Sequence, residues 1–167
     1  DETPSFTSSA PPSIVENVQN VVVLAASDAD DSDTVSFAIT GGADQAKFEI
    51  NGGTQLRFKT ANIPDYESST AAGGAQEYVV EVTASDTAGS PNTATQTITV
   101  TITDANEAAP VFGDGDSASA SPNENQQAVG TYAATDADGT ASLTYSIVAS
   151  GTDATSVDHD LFSIASD

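Results

Sequence analysis

The sequence predicts an all-β chain of tandem β-sandwiches, the first seven-stranded and the second incomplete. Three observations predict it. Apolar residues alternate with polar ones at the strand period and no segment carries a convincing helical period. Gly, Pro and Asn clusters separate the runs. An internal repeat marks where one domain gives way to the next.

Taken in order, the first strand ends at Glu16, and Val21-Val22-Val23-Leu24 forms the second. That run reads either as a strand buried on both faces or as an alternating strand with an apolar outer face. Val35/Phe37/Ile39, Phe48/Ile50, Leu56/Phe58, Tyr78/Val80/Val82/Ala84 and Ile98/Val100/Ile102 each alternate with polar neighbours. Thr97, Thr99, Thr101 and Thr103 line the other face of the last run, where β-branched side chains suit a pleated, half-exposed surface. Gly41-Gly42, Asn51-Gly52-Gly53, Gly73-Gly74 and Gly89-Ser90-Pro91 supply the turns, and residues 42–47 are expected to make one helical turn. Seven short strands in about a hundred residues indicate an immunoglobulin-like sandwich, large enough to bury its own core and fold alone.

The repeat is read from matching blocks. Ser13-Ile14-Val15-Glu16-Asn17 returns as Ser121-Pro122-Asn123-Glu124-Asn125, and Ala26-Ser27-Asp28-Ala29-Asp30 as Ala134-Thr135-Asp136-Ala137-Asp138, both displaced by 108. Val35–Ile39 matches Leu143–Ile147 at the same offset, whereas Ala46–Ile50 matches Asp160–Ile164 at 114. The expected organisation is therefore a complete repeat over 1–104, a linker over 105–110 and the N-terminal half of a second repeat over 111–167. That half is not expected to be stable by itself. Three readings stand for it: a chain that ends early, a domain interrupted by an insert, or one completed by strands of a neighbouring subunit.

Composition narrows the function. With 3 Lys+Arg against 25 Asp+Glu the formal net charge is −22, which argues against nucleic acid and against an anionic membrane surface as partners. Without Cys, Met or Trp there are no disulfides and no thiol chemistry. No stretch resembles a signal peptide or a membrane span, so the chain reads as an interior piece of something longer, with no membrane insertion. No nucleophile elbow is present and the one His has no evident Ser partner, so no enzyme activity is expected.

Strand parity places the acids. If each strand runs antiparallel to the one before, Glu16, Asp65-Tyr66-Glu67 and Asp104-Ala105-Asn106-Glu107 all fall at one pole. Asp28, Asp30, Asp33 and Asp86 fall at the other, and Asp136 and Asp138 occupy the corresponding pole of the second repeat. Residues i and i+2 of an extended chain point the same way, about 6–7 Å apart, so Asp65/Glu67 and Asp136/Asp138 suit shared ions. Calcium takes six to eight oxygens, and the thiolate and imidazole ligands that suit zinc are nearly absent, His159 being the sole candidate. Asp28-x-Asp30-x-x-Asp33 lacks the Gly and terminal Glu of an EF-hand loop. Asp114-Gly115-Asp116 reads as a solvated turn.

These motifs together (Glu-Asn ending the first strand, Asp-x-Asp after the second, Asp-Tyr-Glu, Ala84-Ser85-Asp86, and Asp-x-Asn-Glu ahead of Pro110-Val111-Phe112) resemble the cadherin repeat over the whole chain. The Phe-x-Ile block after the Gly-Gly-Ala-Asp turn is similar to bacterial cadherin-like repeats of large surface adhesins. The resemblance implies Ca2+ as cofactor, up to three ions at the junction, held by Glu16, Asp65, Glu67, Asp104, Asn106, Glu107, Asp136 and Asp138 with the carbonyls of Ala105 and Ala108. It implies a second site, shared with a preceding repeat, through Asp28, Asp30, Asp86 and either Asp1 or Glu2. The chain departs from animal cadherins in Tyr66, where they have Arg, and in Glu107, where they favour Asp. It also stops before a counterpart of Asp86 in the second copy.

The expectation is an extracellular, cell-surface adhesion or extender module of bacterial type, whose partners are neighbouring repeats of the same polypeptide. The alternatives are a module that binds surface or matrix polysaccharide or protein through a sandwich face, and a filament or sheath subunit completed by identical subunits.

Overall fold

The computed structural model describes residues 2–9, 13–29, 34–87, 92–115, 117–139, 142–148 and 161–165. Asp1, Asp30, Asp33, Asp116 and His159 lie outside the described residues. The described residues form β1 (Ser5–Phe6), β2 (Ser13–Val15), β3 (Asn20–Val23), β4 (Ala26–Ser27), β5 (Ser36–Gly41), β6 (Phe48–Asn51), β7 (Gln55–Phe58), β8 (Glu77–Ser85), β9 (Thr93–Thr103), β10 (Val111–Phe112) and β11 (Ala134–Thr135). Short 3₁₀ turns occupy Gln45–Lys47 and Thr60–Asn62. The chain divides into two compact units, Asp1–Ala105 and Asn106–Asp167.

In the first unit the period-2 pattern builds a sheet of four strands in the order β2-β9-β8-β5 and one of three in the order β3-β7-β6, beside a two-stranded β1–β4 ladder. The inward residues of β8 and β9 are Tyr78, Val80, Val82, Ala84, Ile98, Val100 and Ile102, all buried, and they face Leu24, Phe48, Leu56 and Phe58. Phe58 stacks on Phe48 with centroids 4.4 Å apart and meets Tyr78 edge-on at 5.1 Å, tying one sheet to the other. Aromatics packed this way carry about 1 kcal/mol beyond their burial. The outer face of β9 carries the threonines, extended upstream by Thr95 and Thr93, and Thr83, Thr95 and Thr40 join across it through hydroxyl hydrogen bonds of 2.8 and 3.1 Å.

Two expected strands are each divided. The first becomes β1, antiparallel to β4, and β2, parallel to β9; Pro11 and Pro12, which have no N–H to give to a ladder, separate them in the sequence. The second becomes β3 and β4 on either side of Leu24, whose N–H extends the β3–β7 register to the Thr54 carbonyl at 2.8 Å, after which β4 pairs with β1. Val23 is 60% exposed and Leu24 is buried, which decides for alternation with an apolar outer face. Every pairing obeys the parity rule: β3–β7, β6–β7, β5–β8 and β8–β9 are antiparallel, and β2–β9 is parallel.

The second unit repeats local features of the first. Phe112↔Ala134 in β10–β11 parallels Phe6↔Ala26 in β1–β4. Phe112 lies 6.2 Å from Tyr145, as Phe6 lies 5.8 Å from Phe37. Asn17 and Asn125, one offset apart, both turn left-handed at φ 60° and 64°, a conformation that Asn tolerates better than most residues. Its apolar residues remain exposed, however: Phe112, Tyr132, Tyr145, Ile147, Phe162 and Ile164 are each at least 40% accessible.

Gly42 sits at φ +98°, where a Cβ would come within 2.5 Å of the Val79 carbonyl oxygen and Val80 Cα. Gly52, at φ +60°, has open space around it. Gly42→Ala is expected to cost about 3 kcal/mol or more and Gly52→Ala about 1 kcal/mol; urea unfolding of the two variants measures the difference.

Candidate metal centre

The pole of the first unit is organised by Glu16. Its N–H extends the β2–β9 ladder to the Thr103 carbonyl at 3.0 Å, and Asn17 then donates to the Pro64 carbonyl at 2.9 Å. The side chain is 2% exposed. Burying a carboxylate is costly unless it is hydrogen-bonded. Here Oε2 accepts the Tyr66 N–H at 2.7 Å and Oε1 accepts the Ala105 N–H at 2.9 Å, both bonds strengthened by charge. The end of β2, the β7–β8 connection and the exit from β9 therefore meet at one side chain.

Around it stand the other predicted acids of this unit. A Glu67 carboxylate oxygen lies within 4.8 Å of one from Glu16, and within 4.8 Å of one from Asp104. Asp65 is exposed on the same connection, and its Oδ1 accepts the Ser68 N–H at 2.7 Å, closing a tight turn. Carboxylates this close repel by about 1 kcal/mol per pair even in water. Every donor in the set is oxygen, which fits a hard cation such as calcium and not a zinc site.

Within the second unit, Asp138 is buried and its Oδ2 accepts the N–H groups of Glu107 and Ala108, both at 2.9 Å. Half-buried Asp136 accepts the Asp138 N–H at 3.1 Å. The linker's Asn106 and Glu107 are exposed, and the two N–H bonds to Asp138 hold the backbone of residues 107–108.

Asp86 and Asp28 follow β8 and β4 at the opposite pole of the first unit. Buried Asp86 accepts the Asn92 N–H through both oxygens at 3.1 and 3.2 Å, and Asn92 Nδ2 donates to the Glu2 carbonyl at 3.3 Å. Asp28 is half-buried after β4. Its connection returns to the sheet at Thr34, whose N–H donates to Thr87 beside Asp86.

Asp44 went unrecognised in the sequence as a structural acid. It is 2% exposed and accepts three bonds, from Lys47 Nζ at 2.7 Å, Ala72 N–H at 2.8 Å and Val79 N–H at 3.0 Å. Lys47 also donates to the Thr70 carbonyl and lies 5.3 Å from the centre of the Tyr78 ring. The Tyr78 hydroxyl in turn accepts the Thr70 N–H at 3.2 Å. The i, i+3 spacing of Asp44 and Lys47 within the expected helical turn was the available signal.

A seven-stranded sandwich with a buried carboxylate at each pole, Glu16 and Asp86, defines a class of β-sandwich repeat module. The cadherin domain family model matches residues 12–103, and the chain belongs to that family. Domains of the family are extracellular adhesion modules, not enzymes, and they generally bind calcium. Solved structures share the fold. Human CDH23 EC21-23 is 21% identical with a TM-score of 0.56, over 82% of this chain and 44% of that one. Human Protocadherin-24 EC1-2 is 22% identical at 0.57, over 83% and 63%. Mouse Cadherin-23 EC22-24 is 19% identical at 0.55, over 82% and 45%. The chain thus spans less than two thirds of the length of each. No curated protein matches it. Among the described residues no helix is long and apolar enough to cross a membrane.

Burial by itself pushes the Asp44 carboxyl up, but the Lys47 hydrogen bond and the N–H groups of Val79 and Ala72 outweigh it and hold the pKa below 3.8. The ionised form is thus favoured by folding, so its stabilisation is complete above that value and fades as pH falls below it. Asp44→Asn is expected to lose about 3 kcal/mol at neutral pH. The gap between parent and variant, followed by denaturant unfolding, should stay flat from about pH 5 to 8 and narrow below about pH 4.

Proposed function

We propose that this chain is a calcium-dependent extender module, in which Ca2+ at the junction of the two repeats makes a tandem array rigid. The observation that carries the reading is the Glu16–Glu67–Asp104 arrangement. One buried carboxylate is fixed by two backbone N–H groups, and Glu67 oxygens lie within 4.8 Å of its neighbours on both sides. The proposed ligands are Glu16, Asp65, Glu67 and Asp104 from the first repeat, Asn106, Glu107 and the Ala105 and Ala108 carbonyls from the linker, and Asp136 and Asp138 from the second. Asp28 and Asp86, with Asp30 and Asp1 or Glu2, are proposed for a second site shared with a preceding repeat.

Each residue has its own task in this reading. Glu16 is oriented before any ion arrives, so little ordering remains to be done on binding. Asp138 holds the linker backbone through the 107 and 108 N–H groups, aiming the adjoining carbonyls. Glu67 and Asp104 keep repelling charge at the pole until it is neutralised. A bound cation would supply that neutralisation, held by the carboxylates and carbonyls named above. The proposal places the module at a cell surface with neighbouring repeats of the same polypeptide as partners, and divides the chain into 1–104, 105–110 and 111–167 on the repeat offsets.

Chelator-stripped protein titrated with calcium is expected to show saturable heat with Kd of about 0.1–1 mM. At about 100 Kd the gain is about 2.7 kcal/mol, raising Tm by roughly 10 °C or more. Asp104→Ala and Glu67→Ala should each weaken binding by about tenfold or more while the first sandwich keeps its calcium-free unfolding transition. An unaltered calcium response in both variants would remove these ligands from the site, and no saturable binding by the parent would remove the function.

A further inference from the structure

We propose that the Asp44–Lys47 pair is a positioning device for the acidic segment Asp65–Ser69, so that calcium affinity at the pole depends on two charged residues remote in sequence from every proposed ligand. The proposal rests on the calcium reading above and deepens it.

The β7–β8 connection is held at two places. At its front, Pro64 and Tyr66 are tied to Asn17 and Glu16 through main-chain and carboxylate hydrogen bonds. At its rear, residues 70–72 are tied by three separate groups. Lys47 Nζ takes the Thr70 carbonyl, the Tyr78 hydroxyl takes the Thr70 N–H, and Asp44 Oδ1 takes the Ala72 N–H. Ala71 between them is buried in the core cluster. Only residues 67–69 separate the two held regions, and Glu67 is the first of these. Asp65 closes its turn onto Ser68, so the path from Glu67 to the rear anchor is short and has little freedom to wander.

Asp44 and Lys47 are suited to this work because each serves several partners at once. Asp44 also accepts the Val79 N–H, which references residues 70–72 to the start of β8. Lys47 carries one of the three Lys and Arg charges of the chain, and it is directed to the Asp44 carboxylate and the Thr70 carbonyl. Partners that orient metal ligands from outside the coordination sphere commonly govern affinity by about tenfold or more.

The test uses the whole chain with Asp44→Asn, Lys47→Met and, as a control, Arg57→Gln, which breaks an ion pair (Arg57–Glu49, 2.8 Å) in the three-stranded sheet. Two quantities are read at a temperature where the first unit is folded: calcium affinity by calorimetry, and amide hydrogen exchange of calcium-free protein. Asp44→Asn and Lys47→Met are expected to weaken calcium by about tenfold and to speed exchange at residues 66–72, while β8 and β9 stay protected and Arg57→Gln changes neither reading. Calcium binding by the parent with unchanged affinity and exchange in both variants sinks the positioning role alone. Absence of calcium binding by the parent, with faster exchange at 66–72 in the variants, sinks the calcium reading alone and leaves the anchor standing.

Discussion

A buried carboxylate has to be given hydrogen bonds, and the whole pole of the first unit is arranged to give them to Glu16. Its two acceptors reach Tyr66, fifty residues away, and Ala105, eighty-nine residues away. Those bonds exist only because β2 lies parallel beside β9 with Val15 opposite Thr103. A one-residue slip would turn Ile14 outward and Glu16 away from its donors. Asn17 then leaves in the left-handed conformation, which lets the chain turn toward Pro64 without lengthening the ladder. Fold and candidate site are thus one constraint seen from two sides: the register that packs Ile14 against the core and buries Ile102 also aims the carboxylate.

Much of this was legible in the sequence because it rests on period and parity. The runs at 35–39, 48–50, 56–58, 78–84 and 98–102 needed only alternation, and their inward residues are the core. The polar grouping of Glu16, Glu67 and Asp104 needed only the rule that successive strands reverse. The division of the first two strands was not legible, since leaving one ladder for another is decided by which edge lies free in three dimensions. Asp44 escaped for a related reason. An Asp after Gly-Gly in a turn has the composition of a solvated loop, and nothing local says that Ala72 and Val79 will bring two N–H groups to it. The matching of Asn17 with Asn125 was visible as a repeat of letters, but its meaning is a backbone angle.

The charge inventory takes on a different sense once the bonds are known. Lys47 is bound to Asp44, Arg57 to Glu49, and Lys59 to the Ala46 carbonyl at 2.7 Å. All three cations of the chain are thus engaged within the sandwich itself. At the poles, the buried acids Glu16, Asp86 and Asp138 are met by backbone N–H groups. Two N–H groups meet Glu16, two meet Asp138 and one meets both oxygens of Asp86. In each case a main-chain N–H group, which carries no net charge, donates to the carboxylate.

The parallel pairing of β2 with β9 has a mechanical meaning. Both strands run the same way, so a pull that separates the two ends of the first unit draws them past one another along their length. The bonds joining Ser13–Val15 to Thr101–Thr103, together with that from Glu16 to Thr103, then carry the load side by side. An antiparallel pair peeled from one end would release its bonds singly. Under tension this edge of the sandwich behaves as a clamp, and resistance to stretching resides where the short β2 meets the last strand of the unit.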